Sequence, residues 1–341
     1  ALLRAEEEYE KTRRRLKERG REVLEWVRSE NIPALAILSR PYNGSDPILN
    51  LNIPHKLREM GILAIPMDYL PYDRAKLAED HPNIYWDCGQ KLLAAARFIE
   101  NDPQLSAIHI TNFRCGPDSF ITHLIRDEIR SKPYLSIEVD GHASDTGIIT
   151  RIEAFLDSFD RKIAVAPEPA AVLPTERLIE VLRKRTVYLP RMCDHTLALA
   201  SALRASGISA EVLPPSDEET LELGRKYTSG KECHPFTVTT GDFLKKIQRS
   251  GFDPAKSAFL MPTASGPCRF GQYQKAQRLL FKQLGYPEIE LFSPSARDGY
   301  GRSTGLDLPF RRRVWHGVIA VDLLSDLTAR SRPFEKELGQ T

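Results

Sequence analysis

The run LSAIHITNFRCGPDSFITHLIRDEIRSKPYLSIEV, residues 105–139, decides the fold. Residues 105–111 form a short apolar stretch of strand length. A Cys115-Gly116-Pro117 turn follows, and residues 118–130 then carry apolar side chains at helical spacing. Residues 134–139 are again a strand. The same rhythm extends upstream: strands at 34–38 and 62–65, a helix at 50–60 that stops at Gly61, and a helix at 84–100. Downstream, a helix at 146–159 closes the first half. Apolar runs alternating with helices imply a parallel sheet with helices on both faces.

Residues 160–185 contain Pro167, Pro169 and Pro174 and read as a crossing segment. The rhythm then restarts. Strands are expected at 186–189, 210–213, 257–261 and 289–292, and helices at 195–205, 218–226, 235–249, 270–284 and 310–327. The expected fold is therefore α/β, with two tandem Rossmann-like domains. Each has a roughly four-stranded parallel sheet flanked by helices. The expected divisions are an N-terminal helix (1–30), a first domain (31–160), the crossing segment (161–185), a second domain (186–330) and a tail (331–341). In the first helix, Leu2, Tyr9, Leu16 and Val23 recur every seven residues, with Trp26 and Val27 beside them. That narrow stripe on a highly charged helix points to packing across a domain or onto a partner.

The chain has 341 residues, of which 41% are hydrophobic and 28% charged, the balance of a soluble globular protein. A formal net charge of +2 argues against a dedicated nucleic-acid binder. No apolar stretch approaches the roughly 20 residues of a membrane span. The charged opening does not read as a signal peptide. The start at Ala1 rather than Met suggests a piece of a longer protein or an edited version of one. Five cysteines, an odd number, do not suggest a disulfide-stapled secreted domain, so a reducing cytoplasm is the expected location.

Several motifs fail. Gly299, Gly301 and Gly305 have the wrong spacing for a dinucleotide fingerprint. From Gly224 to Gly230-Lys231 the spacing misses a phosphate-binding loop, and Glu232 stands where Ser or Thr is needed. No ATPase motif, Cys-x-x-Cys pair or His-Glu-x-x-His is present.

Three cysteines share one local setting, a Gly- and Pro-marked turn opening a helix: Cys115 in Asn112-Phe-Arg-Cys-Gly-Pro-Asp118, Cys233 in Ser229-Gly-Lys-Glu-Cys-His-Pro235, and Cys268 in Ser265-Gly-Pro-Cys-Arg-Phe-Gly271. Helix starts offer unpaired N–H groups and the positive dipole end, which suit a thiolate. Three thiolates meeting there could hold a metal or an iron–sulfur cluster with one site open, or remain separate structural cysteines. Cys115, Cys193, Cys268 and the Tyr42-Asn43 loop all follow strand ends, where open parallel sheets bind ligands. Glu232 and His234 flank Cys233 as acid–base candidates or as helix-start residues. Arg114 and Arg269 adjoin cysteines and could neutralise a cluster or pair with surface acids. Tyr42 and Asn43 are candidates to line a substrate cleft. Cys88 and Cys193 read as structural, His109 as a core histidine, and His142 as a weak strand-end candidate.

At these residues the chain resembles the 2-hydroxyacyl-CoA dehydratase component family, in the branch related to acyl-CoA dehydratase activases and double-cubane-cluster proteins. Ser39-Arg-Pro-Tyr-Asn-Gly-Ser-Asp-Pro47, Gly147-Ile-Ile-Thr-Arg-Ile-Glu-Ala-Phe155 and Pro262-Thr-Ala-Ser-Gly-Pro-Cys-Arg-Phe-Gly-Gln-Tyr273 carry the resemblance along with the cysteine turns. It implies tandem Rossmann-like domains with a cluster between them, held by Cys115, Cys233 and Cys268. Three ligands favour a [4Fe-4S] cluster. The alternative is an [8Fe-9S] double cubane, for which five cysteines do not suffice within one chain, leaving sharing across a dimer open. It further implies an ATPase activator, on a separate chain or on a missing fused N-terminal part, and a small substrate of the acyl-CoA type.

The expected function is a cluster-dependent reductase or dehydratase-like lyase component fed low-potential electrons. A non-catalytic electron-relay or cluster-carrying subunit is the second reading. A binding domain with structural cysteines is the third.

Overall fold

The computed structural model describes residues 2–75, 77–112, 116–142, 145–158, 175–295 and 306–341. Two compact units divide the chain, Ala1–Pro169 and Ala170–Thr341. In the first, α1 (Leu2–Ser29) leads into β1 (Ala34–Ser39), α2 (Pro41–Ser45), α3 (Ile53–Glu59), β2 (Leu63–Pro66), α4 (Leu77–Asp80), α5 (Asp87–Glu100), β3 (Leu105–Asn112), α6 (Asp118–Glu128), β4 (Tyr134–Val139) and α7 (Asp145–Leu156). In the second, α8 (Thr175–Arg183) precedes β5 (Thr186–Leu189), α9 (His195–Ala205), β6 (Ser209–Val212), α10 (Glu218–Tyr227), α11 (His234–Ile247), β7 (Ser257–Leu260), α12 (Tyr273–Gln283), β8 (Glu290–Phe292) and α13 (Leu308–Ser331).

Each unit contains a four-stranded, all-parallel sheet, ordered β2-β1-β3-β4 in the first and β6-β5-β7-β8 in the second. The two orders are the same when each unit is numbered from its own first strand. The inner strands are apolar because they are covered on both faces: every residue of β1 is buried, and all of β3 except its last. On one face Leu35, Ile37, Ile108, Ile110, Ile137 and Val139 meet α3 and α7. The alternate residues point the other way, and α5 packs on β1 and β3. The second unit repeats this. Val187, Leu189, Ala258 and Leu260 pack with α8, α9 and α13 on one side. Phe259 stacks on Phe243 of α11 at 4.4 Å and meets Phe281 of α12 at 5.6 Å.

Helix α10 starts where Asp217 accepts from the Thr220 amide at 3.0 Å, with Glu218 and Glu219 in its first turn and Arg225 and Lys226 in its last. It crosses α11 at backbone contact. A Cβ on Gly241 would lie 1.9 Å from the Thr220 carbonyl oxygen, and one on Gly224 would lie 2.1 Å from that of Thr237. The two glycines thus let α10 and α11 cross at backbone contact.

Three expectations need correction. The α1 stripe packs only at its C-terminal end: Leu2 and Tyr9 are exposed, Leu16 and Val23 half-buried and Val27 buried, with Leu24 and Gly20 buried beside it and Gly20 pressed against the Tyr69 backbone. A glycine permits the close approach that a larger side chain in the stripe would block. The crossing segment contains α8, because Leu182 and Ile179 pack into the second core. The helix expected from residue 270 begins as a 3-10 turn, Arg269–Gln272, before α12. Among the described residues, no helix is long and apolar enough to cross a membrane.

An ionic knot closes the first unit. Glu128 at the end of α6 accepts from Arg97 of α5 at 2.9 and 3.0 Å and lies 2.7 Å from His81. Burial opposes its charge, but the His81 and Arg97 hydrogen bonds outweigh that cost and bring its pKa down to about 2 from an ordinary 4.5. The folded-state pKa is depressed, so the stabilisation is complete above pH 4.5 and is lost as pH falls towards 2. Urea unfolding should show Glu128→Gln less stable than wild type by about 3 kcal/mol at neutral pH. That difference should shrink progressively below pH 4.5.

Candidate functional site

In the second unit, Cys233 and Cys268 both lie near Tyr273. Cys233 is the residue before α11, half-buried, with its carbonyl accepting from the Phe236 amide at 2.9 Å. Cys268 immediately precedes the 3-10 turn that leads into α12 and is exposed. Gly230 and Gly266 adopt positive φ, +76° and +100°, in the turns that present them. Arg269 spans the two turns, its Nη1 donating to the Lys231 carbonyl at 3.3 Å.

Tyr273 joins the pair. Its residue is 4% exposed, and its phenol pKa is raised first by burial, then by a hydrogen bond with the Cys233 sulfur and by the nearby Cys268. Phe236 and Phe270 each pack edge-on against the Tyr273 ring at 5.2 Å. The result is two sulfurs beside an apolar wall, with one hydroxyl directed at the first. Among the described residues, no group of three or more His, Cys, Asp or Glu side chains is placed to hold a metal ion. Cys115 and Arg114 lie outside the described residues.

The flanking candidates differ in environment. Glu232 is buried, and its carboxylate accepts from the Ser229 amide at 3.0 Å and from the Ser229 hydroxyl at 2.9 Å. It braces the Cys233 turn. His234 is exposed on the first turn of α11.

At the end of β1 in the first unit, Tyr42 is 48% exposed and its hydroxyl accepts from Arg40 Nη1 at 3.3 Å. Arg40 also donates to Asp118 Oδ1 at 2.7 and 3.1 Å, and Thr111 Oγ1 donates to Asp118 Oδ2 at 2.8 Å. Burial opposes the Arg40 charge, yet Asp118 and Tyr42 together raise its pKa. Asn43 is fully buried, and among the described residues neither its side-chain oxygen nor its nitrogen has a hydrogen-bond partner. The cluster thus spans the ends of the two inner strands, with the buried Asn43 amide beside it. His109 is fully buried, with the Tyr134 hydroxyl 3.1 Å from Nδ1, as expected of a core histidine. His142 is exposed.

Sequence reasoning did not single out Tyr273, Arg40, Thr111 or Asp118. Tyr273 and Asp118 end quoted motifs, and the signal was an aromatic or acid at the first helical position after a cysteine turn. Asp242 was missed as well. Burial pushes its carboxyl up to about 6, although the Ser216 hydroxyl donates to it at 2.9 Å. It lines a cleft with Leu213, Lys245, Lys246 and Arg249.

Residues 1–70 match the family model described as the CoA enzyme activase uncharacterised domain (DUF2229). No curated protein and no solved structure matches the chain.

The pairing of the two thiols has a direct check. In a protein with Cys88, Cys115 and Cys193 replaced by Ser, ortho-phenylenedimaleimide should join Cys233 to Cys268, seen as one cross-linked peptide after digestion. Two separately capped peptides would mean that the sulfurs do not face a common space.

Proposed function

We propose that this chain is a component of a reductive acyl-CoA system whose second unit contributes Cys233 and Cys268 as ligands to an iron–sulfur cluster, with Cys115 as the third. The observation that carries the reading is the buried Tyr273 hydroxyl, hydrogen-bonded to the Cys233 sulfur with Cys268 close enough to act on its charge. The donor set suits the group: thiolates are the usual ligands of such clusters, and hydrogen bonds to their sulfurs tune the potential. The match of residues 1–70 to a CoA enzyme activase domain supports the acyl-CoA context.

When bound, a [4Fe-4S] cluster with three protein ligands supplies one electron at a time and an open iron. The chain's own residues set the conditions around it. Tyr273 donates to the Cys233 sulfur, while Phe236 and Phe270 limit water on that side. Glu232 holds the Cys233 turn through Ser229. His234, exposed beside Cys233, is positioned to exchange protons with solvent, and Tyr42 and Asn43 are the substrate-binding candidates in the first unit. An ATPase activator is the proposed electron donor and a small acyl-CoA-type thioester the proposed substrate. A relay subunit without a substrate is distinguished by adding acyl-CoA esters to the reduced protein. A changed electron paramagnetic resonance signal supports a substrate site, and an unchanged one supports a relay.

After anaerobic reconstitution, Cys233→Ala and Cys268→Ala should each lose most bound iron and sulfide and the brown absorbance. Wild-type iron content in either variant removes that residue from the ligand set. Tyr273→Phe should keep its iron but titrate at a more negative potential, because a donor to a ligand sulfur favours the reduced, more negatively charged cluster.

A further inference from the structure

The loop after β5 carries a constellation that the cysteine pair does not use. Cys193 is exposed, and its Sγ lies 3.5 Å from His195 Nδ1. The opposite ring nitrogen, Nε2, lies 2.7 Å from Asp322 Oδ1. Thiol, imidazole and carboxylate therefore form a line, with the histidine between the sulfur and the acid. This is the pattern of a nucleophile with a base that a third group orients.

The arrangement is built by tertiary packing. Cys193 and His195 lie two residues apart at the start of α9, whereas Asp322 comes from α13, 127 residues beyond His195. The two helices meet at a close contact: a Cβ on Gly317 would lie 2.6 Å from the Ala198 Cβ. That approach holds α13 against α9 in the register that sets Asp322 on His195. Hydrogen bonds to Asp322 and then to Cys193 raise the His195 pKa. Arg191, two residues before Cys193, pairs with Asp194 at 2.9 Å within the same loop.

We propose that Cys193 is a covalent modification site, a nucleophilic thiol that exchanges with small-molecule disulfides of the glutathione class. Cys193 Sγ attacks one sulfur of the disulfide while His195 Nδ1 takes the thiol proton. The disulfide bond breaks, a Cys193–S–S–R bond forms, and the other half leaves as a thiolate that recovers the proton. One disulfide is consumed and one is made, so no further oxidant is needed. Asp322 acts through His195, fixing the ring with Nδ1 towards sulfur. It is a positioning residue. The site is independent of iron binding, and Cys193 is not among the proposed cluster ligands.

The test uses the full chain, reduced and then exposed to oxidised glutathione at neutral pH, with the rate of glutathione addition at Cys193 followed by peptide mass mapping. Cys193 in the folded protein should react at least about tenfold faster than the same cysteine in the urea-unfolded chain. His195→Gln should lower the folded rate roughly tenfold or more and remove the imidazole inflection from its pH profile. Asp322→Asn, a change at an exposed side chain that should leave folding intact, should lower the rate several-fold and shift that inflection to lower pH. Folded and unfolded rates that agree, or an Asp322→Asn profile identical to wild type, overturn the proposal. Iron content of Cys193→Ser after reconstitution should equal wild type, which separates this site from the cysteine pair.

Discussion

A phenol withdrawn from water needs a hydrogen-bond partner, and leaving one unsatisfied costs about 1–3 kcal/mol. Tyr273 is buried at the first position of α12, and its partner is the Cys233 sulfur. The contact joins two segments far apart in the chain, the turn before α11 and the turn before α12. Arg269 reinforces it by reaching the Lys231 carbonyl. The crossing of α10 and α11 at Gly224 and Gly241 then fixes the Cys233 side of the contact. One buried aromatic side chain thus ties the Cys233 turn to the start of α12.

The shared strand order explains why the chemistry collects where it does. In each sheet the second strand in sequence lies outside the first, and the third lies on the first strand's other side. Successive connections therefore diverge between the two inner strands, the place where open parallel sheets leave a crevice. In the first unit the Arg40–Asp118–Thr111 cluster and the buried Asn43 amide occupy the ends of β1 and β3. In the second, the Cys193 loop follows β5 and the Cys268 turn lies beyond β7.

The inner strands were legible in the sequence because burial on both faces leaves an unbroken apolar run, as in β1 and β3. Turn chemistry marked the helix starts: Asp217 before α10 and Pro235 in the first turn of α11 agree with local pattern. Legibility failed wherever a distant residue made the decision. The α1 heptad is a regular pattern, but the Tyr69 backbone selects Gly20 as the contact point. Helix α8 was hidden by three prolines upstream and is held by Leu182 in a core that includes the distant strands β7 and β8 as well as β5. The Cys233 and Cys268 turns could be read from their glycines and prolines, whereas Tyr273 could not, since nothing local says that its hydroxyl meets Cys233. Asp118 and Asp322 were obscure for the same reason, because their partners lie on other elements.

Cys233 and Cys193 show how one fold gives two thiols different surroundings. Cys233 is half-buried against a phenol, a donor that ordinarily remains protonated and so serves the sulfur only as a hydrogen-bond partner. That environment favours a sulfur held still, with its charge stabilised in place, which is what a ligand requires. Cys193 is exposed beside an imidazole that can take a proton at neutral pH, and the imidazole is itself oriented by a carboxylate. Such a neighbour favours a sulfur that gives up its proton and attacks. Both lie in turns that open a helix, so helix-start geometry alone does not distinguish them. The distinction comes from the second group each sulfur meets, and in both cases tertiary packing supplies or orients that group: Tyr273 across the α11–α12 pair, Asp322 across the α9–α13 pair.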